Sequence, residues 1–413
     1  MNKVAWFIFF QDPSSGSYQR IRKLMEDVDS LIDATFMECV LARIPLSIGD
    51  ILRIVKSKPI LKRHKRLVFP VLLPGGRFGM VRTINRFTQA CCGHIVGFMH
   101  RPHLVIGEYA SVWPSVEPCA RYRENAVSWI DIHGAEPEET EYTHPELKNI
   151  HSIIDDMRRT EKQAIDGADI LTVQSDVMTT HLASIHGIQV TATSYQCGVD
   201  TSLFVSDPEL RQYTRKQLGY LPEDCVLVYA GGTAKWQLLP QTFSLIASLH
   251  AMDQRCKGLI LTCGNHDQIR EFAKASGLEN SAFRLMSAAH HEVSKFLSAA
   301  DIGILLRVDN VVNRVACPTK LGEYLACGLP VIAGPVAWHW PWFTTAGIFH
   351  IVKNVDNIEG QATETLSFVH NALAKRSLLC NLCRQVAESR LSRTRDRVEL
   401  KQHVIPVIRN IIM

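Results

Sequence analysis

One short stretch of the chain places a carboxylate and small residues where a helix start could bind an anion. Residues 317–335 read CPTKLGEYLACGLPVIAGP. Thr319 can cap a helix that ends at Gly328, and the apolar run that follows is typical of a buried parallel strand. Backbone N–H groups of the first helical turn would face an anion. The pattern fits a nucleoside diphosphate with Glu323 on the ribose, or else an amphipathic helix with one solvated glutamate.

A second candidate anion site is the loop after a predicted strand at 226–230. Gly231 and Gly232 would expose backbone N–H groups there, and Lys235, just before a predicted helix, would supply a point charge. The G-K-[ST] ending of a P-loop is absent. The pattern indicates a diphosphate-binding loop, and the alternative is an ordinary strand-to-helix turn with a surface lysine.

The first half of the chain carries polar residues at predicted strand ends. Asp131 and His133, in the sequence SWIDIHG, share one face of a strand. His133 at the carboxyl edge can hydrogen-bond a sugar hydroxyl or move a proton, although a lone histidine is more often structural. Gly16 follows the first predicted strand, where a small-residue turn lets backbone N–H groups approach a ligand or simply satisfies turn geometry.

Composition limits the class of protein. Of 413 residues, 46% are apolar and 21% are charged, with a formal net charge of +4, which indicates a globular chain and not a dedicated nucleic-acid binder. No apolar run approaches the ~20 residues of a membrane span. The 12 cysteines lie in apolar segments, as expected of reduced thiols in a cytoplasmic protein. The pair Cys380 and Cys383 has no second pair, so a zinc site is not expected.

Alternating strand and helix patterns predict two parallel, doubly wound α/β domains. We expect domains at 1–204 and 205–385, with a helical segment at 386–413 that packs back on the first domain. Ligands of such sheets bind at the carboxyl ends of the strands, which two facing domains would bring to one cleft. The predicted strands are 4–10, 67–73, 104–107, 126–132 and 169–173, then 226–230, 258–262, 283–286, 302–306 and 330–333, and two predicted helices are 148–167 and 238–252.

These segments together resemble the retaining glycosyltransferases of the GT-B fold, family 4. The segments 131–134, 168–175 and 197–204 are similar to family elements, although Cys197 stands where the usual pattern has Asn. Many members also carry a second Glu eight positions before Glu323, and this chain has Val315 there. The strongest match is the family pattern around P-x-K-L-x-E-Y, which stands here as Pro318, Lys320, Leu321, Glu323, Tyr324, Ala326, Gly328, Pro330, Val331 and Ile332.

The resemblance implies two Rossmann-like domains and a transfer from a UDP- or GDP-sugar to a hydroxyl of a glycan or lipid-linked acceptor, in surface polysaccharide or glycoconjugate biosynthesis. It implies no metal, and the one D-x-D, Asp27 to Asp29, lies in the first predicted helix. Arg307 and Arg314 are the proposed substitutes for an arginine that many relatives carry on the diphosphate. The implied site comprises His133, Lys235 and Lys320 as catalytic residues, Gly231, Gly232, Ser287, Arg307, Arg314, Thr319 and Glu323 on the donor, and Gly16 and Asp131 on the acceptor side.

Two other functions stay open on the sequence, a GT-B nucleotide-sugar epimerase and a non-catalytic GT-B-like scaffold. The basic segment 53–66 interleaves lysine and arginine with leucine and isoleucine. Such a run is either a solvated face or a weak contact with an anionic membrane surface, which would make a cytoplasmic protein peripheral on the inner face of the membrane. The double histidine 290–291 is expected at a helix start on the surface.

Overall fold

A computed structural model describes residues 3–10, 16–44, 59–61, 64–72, 79–147, 149–196, 198–336 and 347–412. The chain divides into two compact units. The first comprises Met1–Cys197, Val315–Cys317 and Asp396–Met413, and the second comprises Gly198–Arg314 and Pro318–Arg395. The chain therefore passes from one unit to the other at 197/198, where the sequence predicted 204/205, and its last residues belong to the first unit.

The first unit is built on a seven-stranded sheet in which every named pair is parallel. The strand order is β3-β2-β1-β4-β5-β6-β7, so the order reverses between β1 and β4. Ala5 of the first strand pairs with Phe36 on one side and Leu104 on the other. The strands are β1 Val4–Phe10, β2 Thr35–Ile44, β3 Lys65–Leu72, β4 Leu104–Glu108, β5 Val127–Ile132, β6 Ile170–Val173 and β7 Thr193–Ser194.

Helices connect these parallel strands, as a crossover requires. Leu24, Met25 and Val28 of the first helix share a buried core with Phe7 and Phe9 of β1. A 3-10 turn at Ala110–Val112 follows β4. The helices of this unit are α1 Gly16–Leu31, α2 Gly79–His100, α3 Trp113–Ala120, α4 Glu136–Thr143, α5 Ile150–Gly167 and α6 Asp176–His186.

The second unit repeats the plan with a six-stranded parallel sheet in the order β10-β9-β8-β11-β12-β13. Here the order reverses between β8 and β11. The strands are β8 Cys225–Ala230, β9 Cys256–Leu261, β10 Phe283–Met286, β11 Ile302–Leu305, β12 Val331–Ala333 and β13 Phe349–Ile351. The helices that follow α6 are α7 Pro208–Leu218, α8 Leu239–Met252, α9 His266–Ala275, α10 His290–Ser298, α11 Val311–Val315, α12 Thr319–Ala326, α13 Ala362–Ala374 and α14 Arg376–Arg390, with 3-10 turns at Lys235–Gln237, Asn280–Ala282 and Glu359–Gln361.

The last elements return to the core of the first unit. They are α15 Arg393–Glu399, a π-helical turn Leu400–Val404 and α16 Ile405–Ile412. Leu400, Val404, Ile405 and Ile408 are buried in the same cluster as the first strand and first helix. Their apolar side chains therefore complete that core.

The predicted pair of parallel α/β sheets is confirmed, and the strands 4–10 and 283–286 have the predicted bounds. Three strands were not predicted: β2, β7 and β13. The proposed cap by Thr319 is wrong, because Thr319 is the first residue of α12 and Pro318 precedes it without a side-chain cap. Gly328 has a φ of 77° just after the C-cap, which agrees with its predicted role in ending that helix.

Candidate functional site

Lys320 is a buried cation at the carboxyl edge of the second sheet. Its Nζ donates to Gln237 Oε1 at 2.5 Å and to the Tyr229 hydroxyl at 3.4 Å, and it lies 4.7 Å from the centroid of the Tyr229 ring. Burial, and then the Arg307 guanidinium, lower the pKa of Lys320 well below its usual value. An ammonium held this way, by two uncharged hydrogen-bond partners, gains free energy when an anion arrives.

Gly231 makes room for this lysine. A Cβ built on Gly231 would lie 2.1 Å from Lys320 Nζ and 2.2 Å from Lys320 Cε, whereas a Cβ on Gly232 would meet no atom within 4 Å. The Tyr229 hydroxyl donates to the Gly232 carbonyl at 2.5 Å, which fixes the turn between the two glycines and β8. The sequence predicted both glycines as N–H donors to a ligand, but the Gly231 N–H already donates to the Leu261 carbonyl at 2.8 Å. The role of Gly231 is instead to let Lys320 reach this position.

Glu323 lies on the same helix, α12, and is 7% exposed. His290 Nε2 lies 3.3 Å from its Oε1, and the His290 ring meets the edge of Phe204 with a centroid separation of 5.7 Å. His290 does begin α10, as the sequence predicted, but it is not only a surface residue, because it orients the Glu323 carboxylate. A carboxylate held by one histidine can still accept hydroxyl donors such as those of a ribose.

The two arginines proposed for the diphosphate differ in their surroundings. Arg307 is 7% exposed, follows β11, and its Nη1 donates to Asn313 Oδ1 at 3.1 Å. Arg314 binds the Asp309 carboxylate through Nε at 2.5 Å and Nη2 at 2.9 Å, and its side chain is 42% exposed. The Asp309 contact already neutralises Arg314, so Arg307 is the better placed of the two.

Ser287 and Lys235 are the other predicted donor-side polar residues. Ser287 Oγ donates to the Thr262 carbonyl at 3.0 Å and lies 3.2 Å from His266 Nε2, so its hydroxyl links the ends of neighbouring strands. Lys235 is exposed at the start of the 3-10 turn that precedes α8. It is Gln237, two residues further along, that contacts Lys320.

Asp131 is the centre of a buried polar cluster in the first unit. Arg20 donates to both of its oxygens, at 2.9 Å from Nε and 2.8 Å from Nη2, and Thr172 Oγ1 donates to Oδ1 at 2.7 Å. Burial by itself would raise the pKa of Asp131, but the Arg20 charge and the His133 hydrogen bond hold it well below its usual value. Asp131 is thus an ionised anchor at the end of β5.

His133 completes this cluster. Its Nδ1 lies 3.1 Å from Asp131 Oδ2 and its Nε2 lies 3.3 Å from Glu108 Oε1. Burial lowers the pKa of His133, and the hydrogen bonds with Asp131 and Glu108 outweigh it and raise that pKa overall. The Tyr109 ring lies 4.0 Å from the imidazole centroid, and Tyr109 has a φ of 64°, a left-handed conformation that is rare outside glycine.

Sequence reasoning placed Asp131 and His133 together and missed Arg20, Glu108 and Tyr109. Glu108 ends β4 and Tyr109 follows it, and β4 is the neighbour of β5 in the sheet. The sequence does not give the order of strands in the sheet, so it could not place these two residues beside His133. Arg20 lies 111 residues from Asp131, and no local spacing links the two residues.

Other predicted features have structural roles or lie outside the described residues. Asp27 of the D-x-D is fully buried and accepts from the Tyr195 hydroxyl at 2.9 Å and from Arg397 Nε at 2.7 Å. Within the described ranges, no group of three or more His, Cys, Asp or Glu side chains could hold a metal ion. Gly16 begins α1, and residues 11–15 before it lie outside the described part.

The basic segment 53–66 is described only at 59–61 and 64–66. Lys65 and Arg66 begin strand β3, and Arg66 Nη2 binds Glu38 Oε2 at 2.7 Å. No helix in the described ranges is long and apolar enough to cross a membrane.

Comparison with known proteins gives the fold. Neither a protein-family model nor a curated protein sequence matches the chain. Solved structures do match, with TM-scores of 0.69 for WaaG, a glycosyltransferase involved in lipopolysaccharide biosynthesis, and 0.68 for Anabaena Alr3699/HepE in complex with UDP. The chain has the GT-B fold.

These matches span whole chains at low identity. WaaG is 13% identical, with 97% of this chain and 100% of that one covered, and HepE is 12% identical with 98% and 100% covered. Sucrose-phosphate synthase from Thermosynechococcus elongatus is 13% identical, with 98% and 100% covered and a TM-score of 0.69. The predicted fold class is confirmed, and membership of family 4 stays a prediction.

Proposed function

We propose that this chain is a retaining glycosyltransferase that takes a sugar from a UDP- or GDP-sugar whose diphosphate binds beside Lys320 in the second unit. The observation that carries the proposal is the buried Lys320 ammonium, which has uncharged hydrogen-bond partners and a place that only a glycine at 231 leaves open. Gly231 directly follows β8, and the strand order of the sheet reverses between β8 and β11. Doubly wound sheets bind ligands at such a reversal.

Each group of this site has a task in such a reaction. The diphosphate gains negative charge as its bond to the sugar breaks, and Lys320, the N–H group of Gly232, and a second cation at Lys235 or Arg307 would stabilise that charge. Removing one preorganised donor of this kind typically lowers the turnover rate by about 10²–10³. Glu323, oriented by His290, would accept the ribose hydroxyls.

The proposed transfer retains the anomeric configuration through a front-side path. The departing phosphate oxygen takes the proton of the acceptor hydroxyl while that hydroxyl oxygen bonds to the anomeric carbon. We favour this path over a carboxylate nucleophile, because Asp131, the predicted acceptor-side carboxylate, already binds Arg20, Thr172 and His133. The proposed mechanism needs no metal.

His133 is proposed to act on the sugar through Nε2. That nitrogen is 3.3 Å from Glu108 Oε1, which is longer than the ~2.7–2.9 Å of a strong charge-assisted hydrogen bond. A sugar hydroxyl would therefore replace Glu108 as the partner of Nε2. The acceptor is proposed to be a glycan or lipid-linked hydroxyl. A UDP complex of HepE and the lipopolysaccharide role of WaaG support this class of donor and acceptor.

The test is nucleotide binding by calorimetry and thermal shift, with UDP, GDP and uridine as ligands. UDP or GDP at 100 times its Kd should add about 2.7 kcal/mol of stability, and uridine, which lacks the diphosphate, much less. Glu323→Gln should weaken the binding while the variant stays folded, and Glu271→Gln, an exposed glutamate of α9, is the matched control. Absence of UDP and GDP binding, or equal affinity in Glu323→Gln, would contradict this donor site.

A further inference from the structure

Helix α2 presents large apolar side chains to solvent along its whole length. Met80, Phe87, Phe98 and Met99 are 75%, 68%, 73% and 66% exposed. Ile84 and Ile95 are 39% and 44% exposed. Spacings of three, four and eight residues place these side chains on one side of a helix. We call this surface the α2 apolar face, defined by Met80, Ile84, Phe87, Ile95, Phe98 and Met99.

The opposite side of the same helix is polar or tightly packed, and it faces the protein. Arg82 binds Asp156, and Gln89 Nε2 donates to Asn85 Oδ1 at 2.6 Å. A Cβ on Gly93 would lie 2.2 Å from the Ser115 carbonyl oxygen, so α2 and α3 touch through their backbones. An ordinary surface helix exposes its polar side, whereas α2 buries Cys92 and Val96 and also exposes the large side chains of the α2 apolar face.

Cations flank the α2 apolar face. The sequence of α2 contains no Asp or Glu. Near its first half, the side chains of Arg86 and Arg159 are 39% and 67% exposed, and both contact the Asp156 carboxylate.

The far end of the helix is also basic. Arg101 Nε donates to the Tyr122 carbonyl and Arg123 Nε donates to the Arg101 carbonyl, each at 3.1 Å. The Tyr122 ring meets the Phe98 ring edge-on at 6.2 Å, so this basic end adjoins the apolar face directly.

We propose that the α2 apolar face docks on the surface of a lipid bilayer that carries anionic headgroups. Apolar and aromatic side chains between cations are what an interfacial helix inserts at the headgroup boundary. A second copy of the chain fits less well, because α2 has no carboxylate to offer the arginines of an opposing copy. This surface goes beyond the donor site and does not depend on it, and it is distinct from segment 53–66.

The test is flotation of the full chain with phosphatidylcholine vesicles, with and without phosphatidylglycerol. The parent should float with the anionic vesicles and much less with neutral ones, and added salt should release it. In the variant Phe87→Ser/Phe98→Ser the bound fraction should fall about tenfold or more, because two exposed rings no longer enter the lipid. The matched control is Leu221→Ser/Leu378→Ser, since these side chains of the second unit are 52% and 57% exposed.

Three outcomes would overturn the proposal. One is equal flotation of the parent and the phenylalanine variant when both have the same melting temperature. Another is equal binding to neutral and anionic vesicles. The third is a parent that sediments as a dimer and ignores vesicles while the variant is a monomer, which would assign the face to a second copy of the chain.

Discussion

The substitution Gly231→Ala should disable the diphosphate site without unfolding the protein. The added Cβ would occupy space within 2.2 Å of both Nζ and Cε of Lys320. These atoms are the end of a flexible side chain, so the lysine can swing away, whereas the φ of 158° at Gly231 is one that alanine rarely adopts and adds backbone strain. The ammonium then loses its position beside Tyr229 and Gln237, and the site loses its buried charge.

The magnitude follows from the contact that the ligand would lose. A hydrogen bond to a charged group is worth about 1.5–3 kcal/mol, so UDP or GDP affinity should fall roughly 10- to 150-fold. The unfolding free energy should fall by about 1–3 kcal/mol, because alanine is strained at the φ of 158° that Gly231 adopts. Calorimetric titration with UDP and GDP, together with urea unfolding, measures both quantities.

A glycine outside the site supplies the control for this prediction. Gly187→Ala adds the same methyl group at another positive φ, 61°, where no atom lies within 4 Å of the new Cβ, and it should bind nucleotide like the parent. In a Lys320→Ala background, Gly231→Ala should have no further effect on nucleotide affinity, because the side chain it displaces is gone. Equal affinity in the parent and Gly231→Ala, or an additive loss in the double variant, would refute this reading of the site.

Three further predictions concern charge. Asp131→Asn should destabilise the protein by about 3–5 kcal/mol in urea unfolding, because Arg20 stays buried without its carboxylate. It should also remove the loss of stability in acid that Asp131 causes. A carboxyl with a depressed pKa contributes stability that is lost as the pH falls through its pKa in the folded protein. Burial lowers the pKa of Lys320 when no ligand is bound, and a diphosphate would raise it. Nucleotide binding should therefore take up protons once the pH exceeds the lowered pKa, and affinity should fall as the pH rises further. Calorimetry in two buffers of different ionisation enthalpy, over a series of rising pH values, measures this uptake. Lys320→Ala should abolish that uptake. Transfer should survive excess EDTA, and a loss that Mn²⁺ or Mg²⁺ restores would contradict the proposed metal independence.

Sequence reasoning worked where one segment holds both the pattern and its chemistry. The strand at 4–10 is a continuous apolar run, and its bounds were correct. Strand β2 was missed because Glu38 interrupts its apolar run, and only the folded sheet shows that Arg66 and the backbone N–H groups of Ile60 and Leu61 bind this buried carboxylate.

The candidate site shows the same limit. Lys320 and Glu323 are three residues apart on one helix, so their proximity was readable from the sequence. Their partners Gln237 and His290 come from other elements, and the role of Gly231 in admitting Lys320 depends on how α12 packs against the end of β8. Contacts of this kind follow from tertiary packing, which local spacing does not encode.

The most direct test of the central claim follows the donor itself. Proton NMR of the protein with a panel of UDP- and GDP-hexoses, without added acceptor, reports both the released nucleotide and the first anomer of the freed sugar. We predict slow release of nucleoside diphosphate from one donor, with the donor's anomeric configuration retained, and much slower release with Lys320→Ala. An inverted anomer, a donor converted to its epimer without net nucleotide release, or intact donors throughout would contradict the retaining glycosyltransferase proposed here.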